Sequence, residues 1–220
     1  MSRTESIRQY TFGEELANSI THGIGALLSI AGLAVLSAFS SLFGNVWHIV
    51  SCSIYGATLI LLYTSSTLYH SINHPKVKQI LRIIDHSAIF LLIAGTYTPF
   101  TLVTLQGTWG WSLFWTVWGI AIVGIIMQLT RLRRFTILSI SLYLLMGWTI
   151  IVAIKPLYSS LPFGGLMLVV AGGLSYTIGV LFYLWKTMRY SHAIWHLFVL
   201  AGSAFHFFAV LFYVIPLKKI

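Results

Sequence analysis

The sequence has very little charge: only 8% of its 220 residues are Asp, Glu, Lys or Arg, and Asp85 is the single aspartate. An ordinary soluble domain carries about 25% charged residues, so this chain has too few ionic groups to cover a water-facing surface. It also has one cysteine, Cys52, which excludes an intrachain disulfide and a cysteine-rich metal cluster. The chain is therefore neither a soluble domain nor a disulfide-bonded scaffold.

Long apolar runs are what the sequence does have, with 58% apolar residues and a mean hydropathy of +0.89. Crossing a hydrocarbon core takes about 20 apolar residues, and runs of that length must be helices in lipid. The runs lie at about Ile20–Phe43, Val46–Tyr69, Leu81–Leu105, Trp109–Leu129, Thr136–Ile154, Pro162–Trp185 and His192–Ile215. The sequence predicts an all-α integral membrane protein, a seven-transmembrane-helix bundle. Residues 1–19 form a short cytoplasmic segment, 20–215 the transmembrane domain and 216–220 the tail.

The net charge of +9 is interpreted as a signal for orientation in the membrane and not for nucleic-acid binding, because the basic residues form no stripe interleaved with aromatics. Of the 13 Lys and Arg residues, 10 fall on the N-terminal side of the predicted membrane and 3 on the other. Basic residues mark the cytoplasmic side, so the N-terminus is expected to be cytoplasmic and the C-terminus outside. The polar first 15 residues do not read as a cleavable signal.

Five ionisable residues are predicted to meet near the cytoplasmic face. An ionisable side chain within a span costs several kcal/mol unless it faces the bundle interior and finds a partner. His70 ends the second predicted span, Asp85 lies near the start of the third, and His192 and His196 start the seventh. His22 lies at the start of the first. The topology was predicted from Lys and Arg alone, so the predicted proximity of these five residues is independent of the evidence used for the topology.

The spacing of the histidines favours a metal site. His192 and His196 are four residues apart, so both imidazoles project from one helical face and can give two nitrogens to one metal. His70 supplies a third nitrogen, which leaves a fourth position open, as catalytic zinc sites do. Ser66 precedes His70 by the same four-residue interval. Three imidazoles suit zinc best, with iron or nickel as alternatives.

Some of these features also have purely structural interpretations. Two histidines at this spacing arise often by chance, and Asp85 can instead pair with Arg82 or cap its helix. Gly119 and Gly124 on the fourth span are interpreted as sites of close helix packing.

Five motifs, in order along the chain, carry a family resemblance. They are Glu15-x-x-Asn18-x-x-x-His22, Ser66-x-x-x-His70, Asp85 in IIDHSAIF, AGTYTPF around Thr96, and His192-x-x-x-His196. Together they resemble the bacterial hemolysin III family, which is grouped with the progesterone and adipoQ receptors and with alkaline ceramidases. The resemblance covers all seven predicted spans.

The resemblance implies a seven-helix bundle that holds zinc near its cytoplasmic side. The implied zinc ligands are His70, His192 and His196, and Asp85 would touch a water on the metal. The residues implied to lie around this site are Ser66, Asn18 and His22. The chain lacks the receptors' long cytoplasmic N-terminal region and has almost no extracellular loop, so hormone reception is not expected.

Two functions of different classes follow. The first is a zinc-dependent hydrolase of a membrane lipid amide or ester, in the bacterial inner membrane, in which Asp85 accepts the proton of water and Ser66 donates to the developing oxyanion. The second is a non-enzymatic membrane protein, a pore-forming cytolysin or a regulator of membrane state, in which the metal is structural. His206 shares the stripe of His192 and His196, as a permeation path would require, but the mostly apolar bundle argues against a wide aqueous pore.

Overall fold

The computed structural model describes residues 10–216, which form helices and short connections without any strand. Seven helices are long and apolar enough to cross a membrane, which confirms the predicted all-α bundle. They are α1 (Phe12–Phe43), α2 (Val46–Ser71), α3 (Pro75–Leu105), α4 (Gly107–Leu129), α5 (Thr136–Ser160), α6 (Phe163–Leu184) and α7 (Ser191–Val214). Of the two predicted terminal segments, residues 1–9 and 217–220 lie outside the described range.

Helix α1 begins eight residues before the predicted span, because a polar capping motif extends it. Thr11 accepts a hydrogen bond from the backbone N–H of Glu14, whose carboxylate accepts from the backbone N–H of Thr11. Such a reciprocal cap satisfies two amides that the helix itself leaves free. Glu14 and Glu15 also lie in the first turn, where negative charge complements the helix dipole. The capping therefore brings Glu15, Asn18 and His22 onto one continuous helix.

Three helices depart from regular α geometry toward one end of the bundle. Helix α3 continues past Pro99 as a π-helix over Phe100–Leu105, and α7 ends in a π-helix over Val210–Val214. Helix α5 passes through a 3₁₀ segment at Thr149–Ala153 shortly before Pro156. Proline lacks an N–H and clashes with the carbonyl four residues earlier, which perturbs α3 around Pro99 and α5 around Pro156.

The bundle packs tightly everywhere except around α5. Helices α1 to α4 pack in sequence, α6 packs on α7, and α7 also contacts α1. The largest core includes Leu36, Tyr55, Tyr63 and Val210, all fully or almost fully buried. Helix α5 makes sparser contacts, with α3, α4 and α6. The contact of α1 with α7 brings the first and last helices together and positions the site described below.

Only one of the two α4 glycines marks a close helix contact. A Cβ at Gly124 would overlap the ring of Phe90 on α3, whereas a Cβ at Gly119 would meet nothing within 4 Å. The predicted packing role is therefore right for Gly124 and wrong for Gly119 within this chain. Gly119 and Gly124 are five residues apart, so they lie on different faces of α4.

The two glycines give a matched pair for testing the packing of α3 on α4. Gly124→Ala should destabilise the bundle by about 1–3 kcal/mol, because the added methyl overpacks against Phe90. Gly119→Ala should leave stability unchanged or raise it by up to about 1 kcal/mol, because alanine is the better helix former. Denaturant-induced unfolding in detergent micelles measures both, and equal stability of the two variants would contradict the packing described.

Candidate metal centre

Three buried histidines meet at the end of the bundle where α1 begins. His70 lies in the last turn of α2, and His192 and His196 lie in the first two turns of α7. One ligand atom from each lies within 4.8 Å of the others. Nitrogen ligands lie about 2 Å from a bound transition metal such as zinc, so small side-chain rotations would bring all three to one ion. The structure thus brings together the three histidines that the sequence analysis selected.

Helix α1 orients two of these imidazoles. The Nδ1 of His70 lies 2.6 Å from the Glu15 Oε2, and the Nδ1 of His196 lies 3.2 Å from the backbone carbonyl oxygen of Asn18. A carboxylate and a carbonyl only accept hydrogen bonds, so each Nδ1 carries the proton and donates it. The Nε2 of each ring is then left with its lone pair available, which is how metal-binding histidines are usually held.

The other ring nitrogen, Nε2, is the atom of each triad histidine that could bind a metal ion. The Nε2 atoms of His70, His192 and His196 are all buried and have no hydrogen-bond partner among the described residues. Leaving one buried polar atom unsatisfied costs about 1–3 kcal/mol, so three in one space would be expensive. A metal ion satisfies all three lone pairs at once. The donor set and its burial therefore fit a first-row transition metal ion.

Glu15 belongs to the site, although the sequence analysis did not select it as a site residue and named it only as part of the first motif. Its carboxylate bridges His70 to Lys78 on α3, with Oε1 2.8 Å from the lysine Nζ. The available signal was its spacing: Glu15, Asn18 and His22 follow one another at three and four residues, which puts them on one helical face. That face of α1 is the one that meets the histidines.

Asn18 and His22, predicted to support the site, both contact its histidines. Asn18 is fully buried, and its side-chain nitrogen lies 3.4 Å from the Nδ1 of His70. The ring of His22 stacks on that of His196, with centroids 3.4 Å apart and planes 14° from parallel. Thr21, which the sequence analysis did not select, places its hydroxyl 3.2 Å from the Nδ1 of His196. Both supporting residues thus lie against the rings of the triad, and the stacking of His22 restrains that of His196.

Asp85 lies deeper in its helix than the sequence suggested. Because α3 begins at Pro75, Asp85 lies ten residues in, where it cannot cap the helix. Its side chain is buried, and its Oδ2 lies 3.3 Å from the Nδ1 of His86, a contact without hydrogen-bond geometry. Asp85 therefore brings a carboxylate into the bundle interior.

Two cavities meet at Asp85. The first, about 320 Å³, is partly polar, and Arg82, Arg133 and His192 lie in its wall. The second, about 180 Å³, is mostly apolar and runs between α3, α5, α6 and α7. Asp85 and Trp195 belong to the walls of both. The carboxylate and one triad histidine thus border the same space.

Ser66 is buried in α2, one turn before His70. It lines neither of these two cavities, and no described hydrogen bond joins it to the triad. Its role as a donor stays a prediction.

Comparison with known proteins gives a consistent match over almost the whole chain. The family model described as "Haemolysin-III related" matches residues 10–207. "Hemolysin-3 homolog" of Bacillus subtilis is 54% identical over 204 residues, covering 93% of this chain and 96% of that protein. "Hemolysin-3" of Bacillus cereus is 55% identical over 203 residues, covering 92% and 93%. "Monocyte to macrophage differentiation factor" of Homo sapiens is 28% identical over 205 residues, covering 90% and 83%.

Neighbouring carboxylates on α1 test the metal centre. The negative charge of Glu15 orients His70 and makes its Nε2 more basic. Because Glu15→Gln removes that charge, it should weaken metal binding by about 10- to 100-fold. Glu14→Gln is the matched control, since the Glu14 carboxylate accepts from the backbone at Thr11 and Tyr190 instead. Competition with a chelating dye in detergent measures the affinity. Equal affinities for wild type and both variants would show that Glu15 does not support a metal site.

Proposed function

Since the chain belongs to the Haemolysin-III related family, we propose that it is a membrane-embedded, zinc-dependent hydrolase of a lipid amide or ester. One observation carries the proposal: three buried histidines have unpartnered Nε2 atoms, and one of them, His192, lines the polar cavity that meets an apolar cavity at Asp85. The family alone does not separate an enzyme from a pore, so the chemistry of this site decides.

Zinc is the ion that this donor set suits best. A set of three imidazole ligands, with no thiolate or carboxylate among them, is typical of catalytic zinc sites, which keep a fourth position open. When bound, zinc supplies a Lewis acid for the carbonyl group of a lipid. His70, His192 and His196 would hold it, and Glu15 and the backbone of Asn18 keep two of the rings in the required tautomer.

Asp85 is the residue placed to act as general base. Its carboxylate borders both cavities, so it can accept a proton from a water molecule that attacks a carbonyl at the junction. Its burial limits the access of other water to that carboxylate. The imidazole of His86 lies 3.3 Å from the carboxylate. Ser66 is assigned the supporting role of a hydrogen-bond donor.

The two cavities match the two parts of a lipid. The apolar cavity accommodates an acyl chain, and the polar cavity, with Arg82 and Arg133 in its wall, accommodates a head group. A chain and head placed in this way would bring the amide or ester carbonyl to Asp85. The sparse packing of α5, which lines both cavities, gives a lipid a lateral route from the membrane.

The charge distribution supports a location of this site on the cytoplasmic side. The start of α3 and the two later connections at the α1 end of the bundle carry eight of the 13 Lys and Arg residues, and basic residues mark the cytoplasmic face. With relatives in Bacillus, the protein is assigned to the cytoplasmic membrane of a bacterium, with the carbonyl site opening toward the inner leaflet.

Metal content tests the zinc assignment. The purified wild type should contain about one zinc per chain, and His192→Ala/His196→Ala should contain none, because two of the three ligands are gone. His74→Ala is the control, because His74 is exposed and outside the triad. Elemental analysis after gel filtration in detergent gives the stoichiometry. Metal-free wild type, after refolding or reconstitution with zinc, would end the proposal.

Lipid turnover tests the role of Asp85. Asp85→Asn should keep its zinc and lose about 10²- to 10⁴-fold in hydrolysis rate, the usual contribution of a general base. Mass spectrometry of free fatty acids released from a total bacterial lipid extract in proteoliposomes provides the readout. If wild-type proteoliposomes release no fatty acid but leak an encapsulated dye, and Asp85→Asn leaks equally, the non-enzymatic alternative holds instead.

A further inference from the structure

His206 is a buried histidine that the proposed chemistry does not use. It lies on α7, about 15 Å along the helix from His196 at 1.5 Å per residue. Its side chain is 7% exposed, it lines the apolar cavity, and its Nδ1 has no hydrogen-bond partner among the described residues. A buried polar atom without a partner is costly, and more so within a membrane span.

His22, whose ring nitrogens have no hydrogen-bond partner among the described residues, lines this cavity at the end near the triad, where it stacks on His196. Farther along the cavity, the protein itself satisfies the other polar groups. Thr96 donates to the carbonyl of Leu92, and Tyr97 donates to the carbonyl of Gly147. The hydroxyls of Tyr176 and Ser203 bond each other. Along the part of the wall remote from Asp85, the imidazole of His206 is therefore the polar group left for a ligand.

The neighbouring residues hold the His206 ring in this position. Gly172 on α6 makes room for it, since a Cβ there would overlap the imidazole. The ring of Tyr176 stacks against it, with centroids 5.6 Å apart. A ring confined between two helices in this way has a fixed direction, which is what recognition of a specific ligand atom needs.

From this geometry we propose that the apolar cavity selects an acyl chain that carries an oxygen, such as a hydroxyl group, about a dozen carbons from its carbonyl. The oxygen hydrogen-bonds His206 while the carbonyl lies near Asp85. The separation of about 15 Å corresponds to roughly a dozen carbons of an extended chain with C–C bonds of about 1.5 Å. The inference rests on the lipid-binding part of the proposed function, and it needs neither hydrolysis nor a bound metal.

Three fatty acids that differ only in a hydroxyl group test this selection. Octadecanoate, 2-hydroxyoctadecanoate and 12-hydroxyoctadecanoate are titrated into the purified protein in detergent, and quenching of tryptophan fluorescence reports binding, since Trp148 and Trp195 line the cavity. The wild type should bind the 12-hydroxy acid about 3- to 10-fold more tightly than the other two, the usual effect of one added hydrogen bond. Equal affinities for all three acids would overturn the proposal.

Variants at the same position separate a ligand contact from a structural role. His206→Leu should lose the preference and bind octadecanoate at least as well, because the cavity becomes wholly apolar there. His206→Asn, which keeps a polar atom near the position of Nδ1, should retain part of the preference. Phe208→Leu, on a half-exposed face of α7, is the control and should bind like the wild type. A preference that survives in His206→Leu would show that His206 does not make the contact.

The binding result and the hydrolase proposal fail separately. A wild type that discriminates among the three acids yet releases no fatty acid from lipid would overturn the enzymatic proposal alone. A wild type that hydrolyses lipid yet binds the three acids equally would overturn only the role of His206.

Discussion

Three imidazole nitrogens share one buried space, and none of the described residues satisfies them. In a bundle surrounded by lipid, water offers no easy substitute, so the sequence has to provide everything that holds these rings in place. It does so from α1: Glu15 and the backbone of Asn18 take the Nδ1 protons, and His22 stacks on His196. The arrangement of the first, second and last helices follows from this requirement.

The same constraint explains why the first helix is long and polar at its start. The cap formed by Thr11 and Glu14 adds two turns to α1, and those turns carry Glu15 and Asn18 to the triad. Lys78 then binds the other oxygen of Glu15 and ties the start of α3 to the same carboxylate. Electrostatic contacts of Glu15 thus join α1, α2 and α3 at this end of the bundle.

Most of the architecture could be predicted from the sequence, because hydropathy determines where a chain crosses lipid and a four-residue interval places two side chains on one helical face. The residues that hydrogen-bond the triad were harder to predict from the sequence. Glu15 lies in a polar stretch ahead of the apolar run, so its helix was placed too late, and its contact with His70 spans 55 residues. Gly119 and Gly124 look alike in sequence, yet only the fold shows which one faces a neighbour. Cavities arise from helices distant in sequence and leave no local pattern.

The ligands of the triad come from α2 and α7, the second and the last of the seven helices. During synthesis, the ribosome must release nearly the entire polypeptide before His192 and His196 can meet His70. An ion held by all three side chains would therefore require α7 to be inserted beside α2. Metal binding by the triad would thus follow the insertion of α7 rather than precede it.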